Sequence, residues 1–516
     1  MEENFSYDRI AYPKKLFMQT HPEHLATLAV FFGMKPPPIE NCRVLELGCG
    51  DGNSLLAHAF NLPNAHFVGV DLAENHIAKA KKSAEELSLK NIEFHQLDVM
   101  KMTVEDFGKF DYITAHGLFS WVPEFAREKI LSLCNEMLSP NGVGYISFNA
   151  FPGARQRQMV GDVAKYFTRT ISEPNEKVEN AVKFLDFLTE NSGEAKVYQS
   201  VLKNELERFL KLDASEIFHD DLAEINQPFY FYKFAELLEK NDLQFLAEAD
   251  LHAMFTGGLS TEASEFINSL ADIIEREQYI DFFRGHTFRR VLFCRKEIEL
   301  NRRIEPSILE KFLFNSQIRP ASENFDFVST KFETFVGVKG DSIEIDQPLT
   351  KAALFYLGQI WARSVSFFEM IETARELLVA RGYQTADWQT EFETASEVIL
   401  QICCRTNLIK IHLRHSQAAT VLSEKPKISD FARWQLRDSV ELLTLYNISI
   451  SFEDDFTRHL LYLLDGIRNR LDLLTEMLHF VESSKEIQDK EIFLSAIPDR
   501  LEMILEQLLR VGMFGK

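Results

Sequence analysis

From residue 43 onward, short apolar runs alternate with stretches of helical periodicity. Val44 to Leu47, His66 to Val70, Ile92 to Leu97, Phe110 to Thr114 and Val143 to Phe148 read as strands. Ser54 to Ala59, Ala73 to Leu87 and residues 124–138 place apolar positions at helical spacing between them, and a helix over 22–33 precedes Pro36-Pro37-Pro38. The stretch Ser139-Pro140-Asn141-Gly142 is expected to be a turn into the last of these strands. Strands alternating with helices in this way predict an α/β domain with a parallel, doubly wound sheet.

The pattern changes after Gly153. Residues 155–226 read as several amphipathic helices, with Phe184, Leu185 and Leu188, and then Leu202, Leu206, Phe209 and Leu210, at helical spacing. A helix from Tyr230 to Asn241 leads to a strand at 244–250, a helical segment at 261–284 and a strand at 287–294. Beyond 299, a hairpin from Phe332 to Ile345 turns at Lys339-Gly340-Asp341. Helices over 348–362, 366–379 and 388–405 and an alternating strand at 409–414 follow. Ser366 and Glu369 have capping-box spacing. Three helices and a β wing predict a winged-helix-like module. The mainly helical remainder, 455–513, packs on that module or on a second copy in a homodimer.

Composition narrows the class. A chain of 516 residues is too long for one core, and 46% hydrophobic with 26% charged residues describes a globular protein. No apolar run spans a bilayer and no leader precedes the first helix, so the expectation is a cytoplasmic protein with no membrane insertion. Six cysteines without a C-x-x-C pair fit buried thiols rather than disulfides, and no metal is expected. A net charge of −22 opposes nucleic acid, which calls for a basic stripe. The acidic Glu369, Glu372 and Glu376 likewise favour protein over DNA as the module's contact.

The candidate chemistry begins where the first strand ends, in Gly48-Cys49-Gly50-Asp51-Gly52-Asn53. Strand, glycine turn and helix N-terminus let backbone N–H groups approach a charged ligand. A dinucleotide fingerprint has its third glycine five residues after the first; here it falls at four, and Asn53 holds the fifth position. With Glu46 two residues ahead, this spacing resembles motif I of class I S-adenosylmethionine (SAM) methyltransferases. Asp71 ends the second strand 23 residues after Gly48, where a ribose diol needs an acidic acceptor. Asp98 ends the third strand, where this family's residue receives the adenine amino group.

Further stretches make the resemblance more specific. Tyr7 and Tyr12, Val44 to Gly50, His116-Gly117 with Ser120-Trp121-Val122-Pro123, and Ser147-x-Asn149-x-x-Pro152-Gly153 are similar to bacterial methyltransferases carrying a methyltransferase regulatory domain. Asn226-x-Pro228-Phe229-Tyr230-Phe231 and Asp281-Phe282 with Phe288-Arg289 resemble that regulatory domain. The best known relatives are rickettsial lysine methyltransferases of outer-membrane proteins. The resemblance implies SAM as cofactor, S-adenosylhomocysteine as product, and lysines of an outer-membrane or surface protein as acceptor. It also implies a class I sheet that ends in two antiparallel strands. Those would be 244–250 and 287–294, so that 155–226 is a helical insertion, about 217–298 the regulatory segment, and 1–298 one SAM-binding domain. The cofactor set it implies is Tyr12, Glu46, Gly48, Cys49, Gly50, Asn53, Asp71, Leu72, Asp98, Val99 and His116. The relatives usually carry Tyr where Phe119 stands and Trp where Ala154 stands.

On the acceptor side the expected residues are Trp121, Asn149, His116, Phe119 and Tyr7. The Asn/Asp-Pro-Pro-aromatic stretch typical of enzymes acting on adenine or amide nitrogen is missing after the fourth strand. Phe119 and Trp121 instead either wall a desolvated channel for an aliphatic amine or belong to the core. Asn149 can align such an amine through its side-chain oxygen. Tyr7 and Tyr12 lie on a segment that folds over the ligand or simply packs as an arm. His116 is either a general base or a strand-end histidine held by backbone. Three function classes follow: a protein lysine N-methyltransferase, a methyltransferase of a small molecule or nucleic acid, and a non-catalytic SAM-binding scaffold.

Overall fold

The computed structural model describes residues 15–193, 195–338, 340–361, 363–483 and 490–515. The chain divides into two compact units at Arg302/Arg303.

The first unit is built on a seven-stranded sheet in the order β3-β2-β1-β4-β5-β7-β6. Its first five strands are β1 (Arg43–Leu47), β2 (His66–Asp71), β3 (Ile92–Gln96), β4 (Phe110–Ala115) and β5 (Leu138–Asn149). They pair in parallel, with Leu45 opposite Val68 on one side and Ile113 on the other. Val44, Leu45, Leu47, Phe67 and Val70 are all buried, as strands covered on both faces require. The order reverses at β1, and the crevice at this switch point is where open α/β sheets bind ligands.

The helices of this half are α1 (Pro22–Phe31), α2 (Asn53–Asn61), α3 (Glu74–Glu86), α4 (Val104–Phe107) and α5 (Glu124–Met137). Ser139 to Gly142, expected as a turn, lie within the span of β5 but have no pairing partner on β4: the strand pairs Leu138 with Phe110, bulges through these four residues, and pairs regularly from Val143 opposite Tyr112.

Residues 154–221 fold as α6 (Ala154–Phe167), α7 (Pro174–Asn191), α8 (Lys196–Phe209), α9 (Ala214–Glu216) and a π turn, Ile217–Asp221. They share an apolar core of their own, with Val160, Ala181, Leu185, Leu202 and Phe209 buried. The chain then returns to the sheet through α10 (Phe231–Lys240), β6 (Leu243–Glu248), α11 (Thr261–Ser269), α12 (Ile273–Arg284) and β7 (Phe288–Arg295). Strand β7 runs antiparallel to β5, with Asn149 opposite Phe288, and β6 antiparallel to β7. The segment expected as one helical stretch at 261–284 is broken at Leu270. The Asp272 side chain caps α12 by accepting from the Glu275 N–H at 2.9 Å.

Arg289 on β7 is buried and fastens α12 to the sheet. Its guanidinium reaches Asp281 at 3.0 Å, the Glu277 carboxylate at 2.7 Å and the Glu277 carbonyl at 2.9 Å. Truncating such a group would strand two buried carboxylates, which makes the pairing a point of high sensitivity.

The second unit holds two packed regions. In the first, Leu313–Asn315 pairs with Val365–Ser366 and Lys410–His412, beside helices Pro348–Gln359, Phe367–Ala380 and Trp388–Arg405. The expected hairpin is formed by Glu333–Val336 and Ser342–Ile345. Ser366 caps its helix through the Glu369 N–H at 3.1 Å, while the Glu369 carboxylate turns to Arg363 at 2.8 Å. In the second region, helix Asp430–Gln435, a hairpin of Glu441–Leu443 with Ser449–Ser451, and helices Asp455–Leu463, Arg470–Ser483 and Lys490–Arg510 enclose Ile428, Leu460, Leu473, Met477 and Leu505. Among the described residues, no helix is long and apolar enough to cross a membrane.

Candidate active site

The ligand cradle is made where β1 runs into α2. Gly48 and Gly52 have φ of +71° and +75°, a region that favours glycine. A Cβ at Gly52 would lie 2.6 Å from the Phe94 ring, so no other residue fits this turn without displacing β3. The Gly48 and Cys49 N–H groups donate to the Val70 carbonyl at 2.8 and 3.1 Å, tying the turn to the end of β2.

Asp71 occupies that end. Its Oδ2 accepts from the Gly50 N–H and its Oδ1 from the Ala73 N–H, both at 2.8 Å. Each oxygen has lone-pair capacity left, so the carboxylate both shapes the cradle and can receive hydroxyl groups. Leu72 beside it is 40% exposed, an apolar surface next to a polar acceptor. At the end of β3, Asp98 accepts from the Met100 N–H at 2.9 Å and caps the turn Val99–Lys101.

Glu46 is buried on β1, and its carboxyl is pushed up to about 8, first by burial and then by the charges of Asp71 and Asp51. The Cys49 thiol is raised by burial above all, so it stays protonated and is no nucleophile. Asn53 opens α2 and donates to Asp51 Oδ1 at 2.9 Å.

The acceptor side lies at the ends of β4 and β5. Gly117 N–H donates to Ser147 Oγ at 2.8 Å, and Asn149 N–H to Ser120 Oγ at 2.9 Å, which joins the two strand ends. Residues 226–229 close over this junction: Gln227 N–H donates to the Ser120 carbonyl at 2.8 Å and Phe229 N–H to the Asn149 carbonyl at 2.9 Å. The Asn149 amide donates to Asn226 Oδ1 at 2.8 Å, and Gln158 holds the Asn226 carbonyl at 3.0 Å. The sequence had marked Asn226 only as part of a resemblance. Its role as the partner of Asn149 depends on a contact across 77 residues.

Two acceptor-side expectations are corrected here. Phe119 is fully buried, with its ring 5.5 Å from Phe229 and 5.4 Å from Phe234, so it is a core residue and not a channel wall. His116 is held by a side chain and not by backbone: its Nδ1 is hydrogen-bonded at 2.8 Å to the Tyr145 hydroxyl. Burial, and next the Arg290 charge, lower the imidazole to about 3. Phe17, which sequence reasoning did not select, packs its ring 3.9 Å from His116. Trp121 remains half-buried in the turn after β4, its backbone N–H donating to the Leu118 carbonyl at 2.9 Å. Phe151 is buried under the Arg155 guanidinium, 3.9 Å from its ring centre. Tyr7 and Tyr12 lie outside the described residues.

Fold and cradle together define a class I SAM-dependent methyltransferase, and comparison with known proteins agrees. Family models match residues 39–211 to a methyltransferase domain, 213–295 to a predicted methyltransferase regulatory domain and 424–512 to the PKMT C-terminal winged helix domain. The uncharacterized protein RP789 of Rickettsia prowazekii (strain Madrid E) is 31% identical over 502 residues, covering 94% of this chain and 88% of the relative. A second uncharacterized protein of that organism, RP028, is 32% identical over 242 residues, 47% of this chain and 96% of its own length. PKMT2 from Rickettsia typhi, solved in complex with AdoHcy, superposes with a TM-score of 0.86 at 27% identity, covering 98% of this chain and 99% of that one. The chain belongs to the family of bacterial SAM-dependent methyltransferases that join a regulatory domain and a PKMT-type winged helix. The winged-helix match falls on the region with the 441–451 hairpin, C-terminal to the 332–414 stretch where the sequence pattern had placed it.

Proposed function

We propose that the protein is a lysine N-methyltransferase acting on protein substrates, with outer-membrane or surface proteins as the acceptors. The observation that carries this reading is the likeness to PKMT2 over nearly the whole of both chains, winged-helix end included, rather than over the cofactor half alone. SAM, when bound, supplies an electrophilic methyl group on sulfonium. The Gly48–Gly52 turn, whose Gly48, Cys49, Gly50 and Gly52 N–H groups are held within the protein, would offer close approach of backbone without side chains, Asp71 the remaining lone pairs for the ribose, and Asp98 an acceptor for the adenine amino group.

On the other side, the Asn149 amide nitrogen is committed to Asn226, which leaves Oδ1 as the acceptor on offer to an amine N–H. Trp121 lends a partly exposed aromatic wall, where loss of water lowers the lysine pKa and keeps the amine nucleophilic. The site acts by alignment and desolvation, and the amine proton leaves to solvent.

The test is mass spectrometry of the cell's envelope proteins with and without the enzyme, paired with transfer of labelled methyl in vitro. Methyl marks on lysines that disappear with the enzyme support the reading. Label passing to small metabolites or tRNA, with none on protein lysine, overturns it.

A further inference from the structure

Single exposed aromatic residues are ordinary on a protein surface, but a connected row of them is not. One such row crosses the first unit. It starts at Phe151, two residues beyond Asn149, whose ring lies 5.1 Å from that of Tyr230. Tyr230 meets Phe282 at 6.1 Å, Phe282 meets Tyr279 at 5.8 Å, and Tyr279 meets Phe266 at 4.9 Å. The last three steps are edge-to-face, a favoured packing of aromatic rings. The row is buried at its Phe151 end and emerges as it leaves the acceptor site: Phe282, Tyr279 and Phe266 are 46%, 36% and 43% exposed.

Nothing in the cofactor chemistry uses these residues. Helices α11 and α12, which carry the outer rings, contain no lysine and expose Glu262, Glu265 and Glu275, with Asp272 at the cap between them; their two arginines are turned to the protein, Arg276 to Asn268 Oδ1 at 3.2 Å and Arg284 to the carbonyls of Ala253, Phe255 and Gly257. An apolar row flanked by carboxylates complements a chain that mixes apolar and basic residues.

We propose that this aromatic row is the docking track for the acceptor polypeptide, holding an extended segment of the substrate protein beside its target lysine. The proposal rests on the lysine-methyltransfer reading and adds to it where the acceptor chain lies. Four ring-to-ring steps of 4.9–6.1 Å span no more than about seven residues of extended chain. The preferred acceptor is therefore an unfolded or flexible segment with apolar residues within that distance of the lysine. A folded protein presenting an isolated lysine gains nothing from the track.

The experiment uses the full chain and two probes. One is a labelled peptide of about twelve residues with a central lysine and alternating leucine and serine on both sides; the other replaces every leucine by serine. Anisotropy in the presence of S-adenosylhomocysteine reads binding without turnover. The wild type should bind the leucine peptide more tightly than the serine peptide, and Tyr279→Ser with Phe282→Ser should weaken the leucine peptide about tenfold. In turnover, KM for that peptide should rise by the same factor while kcat and the rate on Nα-acetyl-lysine amide stay put. Phe187→Ser, an exposed ring elsewhere, should change none of these. Phe266→Ser carries the same test from the neighbouring helix should the double variant melt early.

Equal binding of the two peptides by the wild type, or unchanged binding by the variants, overturns the track. So does a variant that loses an oligomer without losing the leucine preference, since the row would then be a contact between copies. Failure of the wild type to methylate any lysine overturns the lysine reading instead, and anisotropy still decides the track.

Discussion

The side-chain amide of Asn149 donates to Oδ1 of Asn226 at 2.8 Å, across 77 residues of chain. One residue ends β5 and the other precedes the return to the sheet, so the acceptor-side amide is oriented by the segment that closes over it. Replacing Asn226 by Ala should leave Asn149 free to rotate. We expect kcat on protein lysine to fall by about one to two orders of magnitude, as loss of alignment commonly costs, with little change in cofactor affinity. Asn226→Asp keeps the accepting oxygen and should retain more activity. Steady-state kinetics beside calorimetry with S-adenosylhomocysteine checks both; equal losses of kcat and cofactor affinity would contradict the assignment.

Asp71 should be doubly costly to remove. Asp71→Ala deletes a charge-assisted diol contact of roughly 1.5–3 kcal/mol, a loss of one to two orders of magnitude in cofactor affinity. It also strands the Gly50 and Ala73 N–H groups. Calorimetry should show the affinity loss, and a thermal melt without cofactor should show a lowered midpoint as well.

Phe119 and Trp121 should part company. Phe119→Ala opens a cavity in a closed aromatic cluster and should cost about 3–5 kcal/mol of stability. Trp121→Ala should leave the melt nearly untouched and cut turnover on lysine-containing protein far more than cofactor binding. Urea unfolding set beside the rate assay separates the two.

Glu46 gives a pH signature of definite sign. Its folded value of about 8 stands above the ordinary 4.5, so the folded apoprotein holds a proton that the unfolded chain has released. Stability therefore declines as pH rises from about 4.5 to 8, and the penalty is complete above that window. A ligand ammonium placed beside Glu46 favours the carboxylate, so binding S-adenosylhomocysteine at pH 7 should release up to about one proton. Calorimetry in two buffers of different ionisation heat measures the release, and Glu46→Gln should abolish it. His116, lowered to about 3, should add no limb to the pH–rate profile near neutrality.

Residues 1–160 alone should be molten or insoluble, whereas a chain ending near residue 302 should melt cooperatively and bind the cofactor. The shorter piece lacks β7, which covers the C-terminal half of β5 from Gly144 to Asn149. Circular dichroism in the near ultraviolet and a heat scan distinguish the two.

What could be read directly from the chain was local. The Gly48–Gly52 turn, the acids at the ends of β2 and β3, and the long periodic helices each declare themselves within a few residues. What escaped was decided by partners far away. Phe119 looked like a channel residue because only its place after β4 was visible, and Phe229 and Phe234 bury it from beyond the helical insertion. Asn226 had no local mark of a site residue. By contrast, Ser139 to Gly142 has turn composition and does bulge out of the pairing with β4, a departure the local sequence showed. The 441–451 hairpin has strands of three residues each, too short for alternation to show.

The late arrival of β7 sets a schedule for synthesis. Asn149 waits for Phe288, and at roughly 5–20 residues per second a ribosome needs about 7–28 seconds to make the stretch between them. During that interval the nascent chain carries an apolar strand edge with no neighbour, the kind of edge that recruits other chains. The enzyme's yield in the cell is then governed by whatever shields that edge while the last strands are being made, and a host lacking such a chaperone should deliver it as aggregate.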